Sequence, residues 1–156
     1  MGAKKFDYYV FIDYSENYLG YLVIQQEKIR EFLPKISKFA RYKEIKYKSA
    51  YIHSIKKVID KKEVLCSVLK HKIRKTTDTP EIYSDILEFL KQHNSCLIFI
   101  SVDNKQYSNF ERLVKIIDGT NTKVIKENEL RKDTPEYRMI LVLDTLLNIE
   151  RLKHEN

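Results

Sequence analysis

Little in this chain permits sharp turns, covalent staples or membrane insertion. Its 156 residues include three glycines, three prolines, two cysteines and no tryptophan. With so few glycines there is no Gly-rich loop to cradle a nucleotide, which argues against a P-loop or dinucleotide-binding fold. Nor does a Gly-x-Ser-x-Gly elbow occur, which argues against the common hydrolase triad. Cys66 and Cys96 lack metal-ligand spacing and are expected as buried free thiols, adjacent if both lie on central strands. His53, His71, His93 and His154 are scattered in the same way, as solvated or capping residues. No run approaches the roughly 20 apolar residues of a membrane span. Met1 to Lys5 leads into Phe6-Asp7 rather than into a signal-peptide core, so the expectation is a cytoplasmic protein with no membrane partner. No Ser-, Gly- or Pro-rich linker is present, and a single domain over 1–156 is expected, large enough to bury a core.

What is present is charge, unevenly spread over a composition that is 43% hydrophobic and 33% charged, as expected of a globular rather than a disordered chain. Between Lys35 and Lys75 fourteen Lys or Arg face three acids, a local net of +11, while the remainder carries fifteen against nineteen, a net of −4. A basic stretch beside an acidic remainder suits a protein that touches phosphates while keeping a carboxylate site. A Lys-rich solvated surface of a heat-adapted protein would give the same numbers.

The chain is organised around Tyr8 to Ile24. Two apolar, β-branched and aromatic runs flank Tyr14-Ser15-Glu16-Asn17-Tyr18, so a leading β-hairpin is expected with Asp13 and Glu16 near its mouth. A helix follows from about Glu27 to Ala40, kinked or divided at Pro34. Tyr42 to Lys48 reads as a loop or irregular strand. Ile52 to Ile59 reads as a short helix, Glu63 to Lys70 as a strand, and Arg74 to Asp78 as a polar segment. Thr79-Pro80-Glu81 is expected to cap the next helix. Cys96 to Val102 is apolar at nearly every position, as a strand covered on both faces should be. A helix through Phe110, Leu113, Val114 and Ile117, a short strand from Thr122 to Lys126, and a helix from the Thr134 cap to about Arg151 complete a mixed-sheet α/β domain.

Four carboxylates sit where a core would not choose them. Asp13 ends an apolar strand, and Asp144 lies in a helix that is apolar nearly all round, where an unpaired charge is costly. A salt bridge from Asp144 to Arg151 would be an ordinary explanation. Asp103 follows a buried strand, the position where α/β proteins place chemistry, although Asp-Asn is also turn chemistry. Glu44 is the lone acid among Lys and Tyr, and an ion pair with Lys46 or Lys48 would account for it. Acids brought together repel unless a divalent metal neutralises them, and two ions about 4 Å apart are a device for in-line phosphodiester hydrolysis. Eight of the eleven tyrosines fall at or before Tyr51, beside the basic segment, where they could stack on bases or pack in a sheet.

At these residues the chain resembles the ribonuclease-H-like superfamily and, more narrowly, the uncharacterised domain of unknown function 3800 family. That family's opening Ile-Asp-Glu-Ser-Gly corresponds to Ile12-Asp13-Tyr14-Ser15-Glu16-Asn17, its Glu-Ile-Lys to Glu44-Ile45-Lys46, and its closing Gln-x-Ala-Asp to Leu141-Val142-Leu143-Asp144. Val102-Asp103-Asn104 falls where the superfamily keeps a middle acid. The resemblance implies a ribonuclease-H-like mixed sheet flanked by helices, with Mg²⁺ or Mn²⁺ held by Asp13, Glu44, Asp103 and Asp144. The function expected is that of a divalent-metal-dependent nuclease or related phosphodiester-processing protein, with Lys43, Lys46, Lys48, Lys56 and Lys57 contacting nucleic acid. The alternative is a catalytically inactive nucleic-acid-binding or scaffolding protein of the same fold. It gains from Tyr14 and Leu141, which stand where the family has Glu and Gln.

Overall fold

The computed structural model describes residues 6–93, 95–101, 108–112, 114–115 and 123–154. Its leading hairpin pairs β1 (Tyr8–Ser15) with β2 (Tyr18–Gln25) in antiparallel register, Asp13 opposite Gly20. Glu16 makes the tight turn with a left-handed φ of 53°. Adding β3 (Lys70–Lys75), β4 (Cys96–Ile100) and β5 (Lys123–Lys126) gives a five-stranded sheet in the order β3-β2-β1-β4-β5. The β1–β4 and β4–β5 pairs are parallel and β2–β3 is antiparallel. The continuously apolar sequences of β1 and β4 take the middle of the sheet, where both faces are covered.

Alternation along the strands divides the core in two. Val10, Ile12, Leu19, Tyr21, Val23, Ile98 and Ile100 meet Ile82, Ile86, Phe89 and Leu90 of the Thr79–Gln92 helix, with Phe110 and Val114 of the helical residues 108–112 and 114–115 beside them. Phe11, Leu22, Ile24 and Phe99 face the opposite way, against the Lys48–Lys61 helix and the C-terminal helix Pro135–Lys153. The C-terminal helix starts as expected: Thr134 Oγ1 accepts a hydrogen bond from the Tyr137 N–H at 3.3 Å, and Pro135 occupies the first turn. No helix among the described residues is long and apolar enough to cross a membrane.

Several expectations are corrected. The long helix from Glu27 is broken into 3-10 turns at Gln26–Lys28 and Leu33–Ile36 around one α-turn, Ile29–Phe32. Pro34 falls in the second 3-10 turn, where its missing N–H and its ring stop the α-helical ladder. The helix expected near Ile52 starts earlier, at Lys48. Glu63 to Lys70 is not a strand; Val64–Ser67 is a 3-10 turn, and the strand is the polar Lys70–Lys75. As an edge strand it carries charge rather than apolar alternation, which blocks edge-to-edge pairing. Cys66 is exposed in that 3-10 turn and only Cys96 is buried. Thr79 begins its helix rather than capping it, its hydroxyl donating to the Thr76 carbonyl at 2.6 Å.

Candidate active site

Asp13 lies two residues beyond Phe11 on β1 and therefore shares its face of the sheet. Its cross-strand neighbour must be small: a Cβ on Gly20 would lie 2.9 Å from Ile73 Cγ1 and from the Lys72 carbonyl oxygen, and 3.4 Å from Leu147 Cδ2. The hairpin and the C-terminal helix thus approach closely here, and Asp144, three residues before Leu147, is on the same side of its helix. Both acids are buried, Asp13 2% and Asp144 8% exposed.

The hydrogen bonds to these acids are incomplete. Asp13 Oδ1 accepts from the Tyr14 N–H at 2.8 Å, whereas Oδ2 is buried with no hydrogen-bond partner among the described residues. Asp144 Oδ2 accepts from the Tyr42 N–H at 2.9 Å. Burial first, and then the charges of Asp144 and Glu127, push the Asp13 carboxyl well above the usual carboxylate range; the Tyr14 N–H and the Ser101 side chain oppose this only in part. Burial likewise raises Asp144, against the Tyr42 N–H and the nearby Arg41 charge.

The two acids line a cavity of about 470 Å³ together with Glu127, and four cations, Arg41, Lys43, Lys48 and Arg151, also line it. Arg41 and Glu127 form a half-buried ion pair. The segment that brings Arg41 and Tyr42 to the cavity is tied down from two helices. Arg138 donates to the carbonyls of Ile36, Ser37 and Phe39. Tyr51 Oη accepts from the Ala40 N–H at 2.9 Å and lies 2.9 Å from Thr145 Oγ1. Asn148 joins the strand to the helix: Ser15 Oγ and Arg151 both donate to its Oδ1, at 3.1 and 2.9 Å, and its Nδ2 donates to the Asp144 carbonyl at 2.8 Å. Arg151 pairs at 3.8 Å with Glu16 and stands over the Tyr42 ring, so the bridge to Asp144 that would have been the ordinary explanation is not formed.

Of the expected acids, Asp13 and Asp144 come together in this cavity. Glu44 is exposed on the Tyr42–Glu44 turn and does not line it, because that turn presents its main chain to Asp144. Asp103 lies outside the described residues. Lys43 and Lys48 line the cavity. Lys46 is exposed over the Tyr47 ring, and Lys56 and Lys57 are exposed along the Lys48–Lys61 helix. Sequence reasoning missed Glu127, Arg41, Ser101 and Asn148 as cavity residues. Glu127 follows β5 directly, so the rule that flagged Asp103 at the end of β4 could have flagged it.

No group of three or more His, Cys, Asp or Glu side chains among the described residues is arranged to hold a metal ion. Mg²⁺, however, is commonly held by only one or two carboxylates, with water and phosphate oxygens completing its octahedron. Asp13, with an unengaged buried oxygen, and Asp144 fit one such ion.

No family model matches the chain, and no curated protein sequence matches it. Solved structures do. The ribonuclease H2 of Pyrococcus horikoshii OT3 is similar with a TM-score of 0.56 at 14% identity, covering 95% of this chain and 76% of that one. The structure of the PCNA:RNase HII complex from Archaeoglobus fulgidus gives a TM-score of 0.51 at 10% identity, covering 93% and 73%. At these identities the likeness is one of fold, and the chain has the ribonuclease-H-like mixed α/β fold. The narrower family resemblance rests on the short motifs alone.

Proposed function

We propose that the chain is a divalent-metal-dependent nuclease acting at the Asp13–Asp144 cavity. The observation that carries this reading is the buried Asp13 Oδ2, which has no hydrogen-bond partner among the described residues beside a second buried carboxylate in a cavity lined by cations. A buried acid left this way costs stability unless a cation completes it. Asp13 and Asp144 would hold one Mg²⁺ or Mn²⁺ ion. Once bound, such an ion polarises a phosphate and lowers the pKa of water. Arg41, Lys43, Lys48 and Arg151 would hold the phosphate backbone and the charge that develops on it. Lys46, Lys56 and Lys57 extend the basic surface, and Tyr47, 70% exposed, offers a face on which a base can stack. Asp103 keeps a supporting role through the family resemblance, and Glu44 would act only if its turn moved.

The test is cleavage of end-labelled RNA and DNA in Mg²⁺, Mn²⁺ or chelator. Cutting that requires the ion and vanishes in Asp13→Asn and Asp144→Asn, both with unchanged circular dichroism, supports the reading. A second reading, binding without cleavage, is favoured by two features. Arg41 already neutralises Glu127, which leaves two uncommitted acids, and Tyr14 stands where the resembled family has Glu. Salt-sensitive binding with no cleavage in either metal would establish that reading and refute the first.

A further inference from the structure

A second cavity, of about 380 Å³, adjoins the first, and Glu16 and Arg151 line both. Its other walls come from the hairpin turn and the start of β2 (Asn17, Tyr18), the end of β3 and the turn after it (Lys75, Thr76, Thr77), and His154 past the C-terminal helix. The Thr76 N–H donates to the Asn17 carbonyl at 2.8 Å, which fixes the β3 end against the hairpin. Tyr18 and His154 stack with their rings 15° apart.

The cations of β3 separate by face. Lys72 and Arg74 point to the Thr79–Gln92 helix and are neutralised there by Glu81 and Asp85. Lys75, on the Ile73 side with the C-terminal helix, has no acidic partner among the described residues. Among the described residues, Lys75 and Arg151 share this cavity with one acid, Glu16, whose bond to Arg151 is long at 3.8 Å and whose side chain is 66% exposed. An excess of positive charge beside threonine hydroxyls is matched by an anion with several acceptor oxygens.

We infer that this cavity is a phosphate subsite for the strand leaving the Asp13–Asp144 cavity, with Lys75 and the Thr77 hydroxyl as its contacts and Arg151 spanning the two. A phosphate there displaces the weak Glu16 contact from Arg151. The direction of the strand rests on the proposed nuclease site; the subsite's affinity for phosphate does not.

The experiment is fluorescence anisotropy of a labelled single-stranded oligonucleotide, in chelator, across a salt series. Lys75→Ala is compared with Lys70→Ala, a change of the same charge on the other face of the same strand. Losing one phosphate contact lowers the slope of log affinity against log salt by about one and weakens binding about tenfold near 50 mM salt. That loss is expected for Lys75→Ala and not for Lys70→Ala, with melting temperatures of both unchanged. Equal losses would mean bulk electrostatics and overturn the subsite, as would no loss in either. Inorganic phosphate, and oligonucleotides with and without a terminal phosphate, distinguish the sources. Lys75-dependent binding of inorganic phosphate without Lys75-dependent strand binding overturns the strand assignment. Because the measurement needs no metal, a positive result stands even if no cleavage is found, and cleavage without a Lys75 effect refutes the subsite alone.

Discussion

A carboxylate stands at each face of the sheet, and the two are treated in opposite ways. Asp85, on the Thr79–Gln92 helix, accepts from Tyr21 Oη at 3.1 Å and pairs with Lys72, which also reaches Glu81. Although burial works against ionisation, the Lys72 and Tyr21 hydrogen bonds hold the Asp85 carboxyl below its usual range. Asp13, across the sheet, has the Tyr14 N–H and the Ser101 side chain but no cation paired with it among the described residues, a second acid in its cavity, and a pKa driven up. The first arrangement is closed and needs no ligand. The second is left open, as a site that must exchange water, ion or substrate would be.

Substitution breaks the comparison most sharply. Asp13→Asn should lower metal-dependent cleavage by at least about a hundredfold, since even residues that merely support a metal ligand cost 10–100-fold. Asp85→Asn should leave cleavage unchanged. Stability should invert the order. In chelator, Asp13→Asn replaces a buried acid, and its repulsion from Asp144, with a neutral amide and should raise stability by roughly 1–3 kcal/mol, a melting shift of several degrees. Asp85→Asn, which leaves Lys72 only its longer contact with Glu81, should lower it. Calorimetry of the two variants decides the matter; a destabilised Asp13→Asn would mean that the carboxylate is structural. Mg²⁺ should raise the wild-type melting temperature by mass action and lose that effect in Asp13→Asn.

A pH series sharpens the same contrast. Asp13 is an acid whose pKa is raised on folding, so its penalty is complete at high pH and is relieved as pH falls through the folded pKa toward the ordinary value near about 4. The stability gap between Asp13→Asn and wild type should therefore narrow on acidification from pH 8. Asp85 is lowered on folding; its contribution is present above the ordinary aspartate range and is lost only below it, as pH falls through the folded pKa. The gap between wild type and Asp85→Asn should stay constant from pH 8 to 5 and close only in stronger acid. Parallel behaviour of the two gaps would remove the distinction.

How much of this was legible depends on whether side chains or main chain did the work. β1, β4 and the C-terminal helix announced themselves because they are apolar at nearly every position, and Asp13 and Asp144 stood out against that background. The polar Lys70–Lys75 did not read as a strand, because an edge is specified by charges that prevent pairing rather than by a buried stripe. Glu127 was passed over although the strand before it was read, because it opens the polar run Glu127-Asn128-Glu129, where no apolar background sets an acid apart. Glu44 drew attention as an acid, yet what its turn supplies is the Tyr42 N–H. A main-chain donor has no residue type to betray it, and only its position relative to Asp144 makes it part of the site.

The smallest effect separates the faces through two tyrosines. Tyr51→Phe removes the acceptor for the Ala40 N–H and loosens the segment that delivers the Tyr42 N–H to Asp144. The hydroxyl also meets the Ala40 carbonyl and Thr145 Oγ1, so the cost in stability should be about 1 kcal/mol for each hydrogen bond lost, with divalent-ion affinity changed severalfold because one of the two carboxylates is less well held. Tyr21→Phe also removes a hydrogen bond to an aspartate, but Lys72 still holds Asp85. Its stability loss should be similar or smaller and its ion affinity unchanged. Titrating Mn²⁺ into both variants by calorimetry tests this. A change in ion affinity of the same size in each would mean that the two faces are coupled through β1 and β2 rather than independently wired. If only Tyr51→Phe changes it, the Phe39 to Tyr42 segment belongs to the site, with geometry set by the Lys48–Lys61 and C-terminal helices that anchor it.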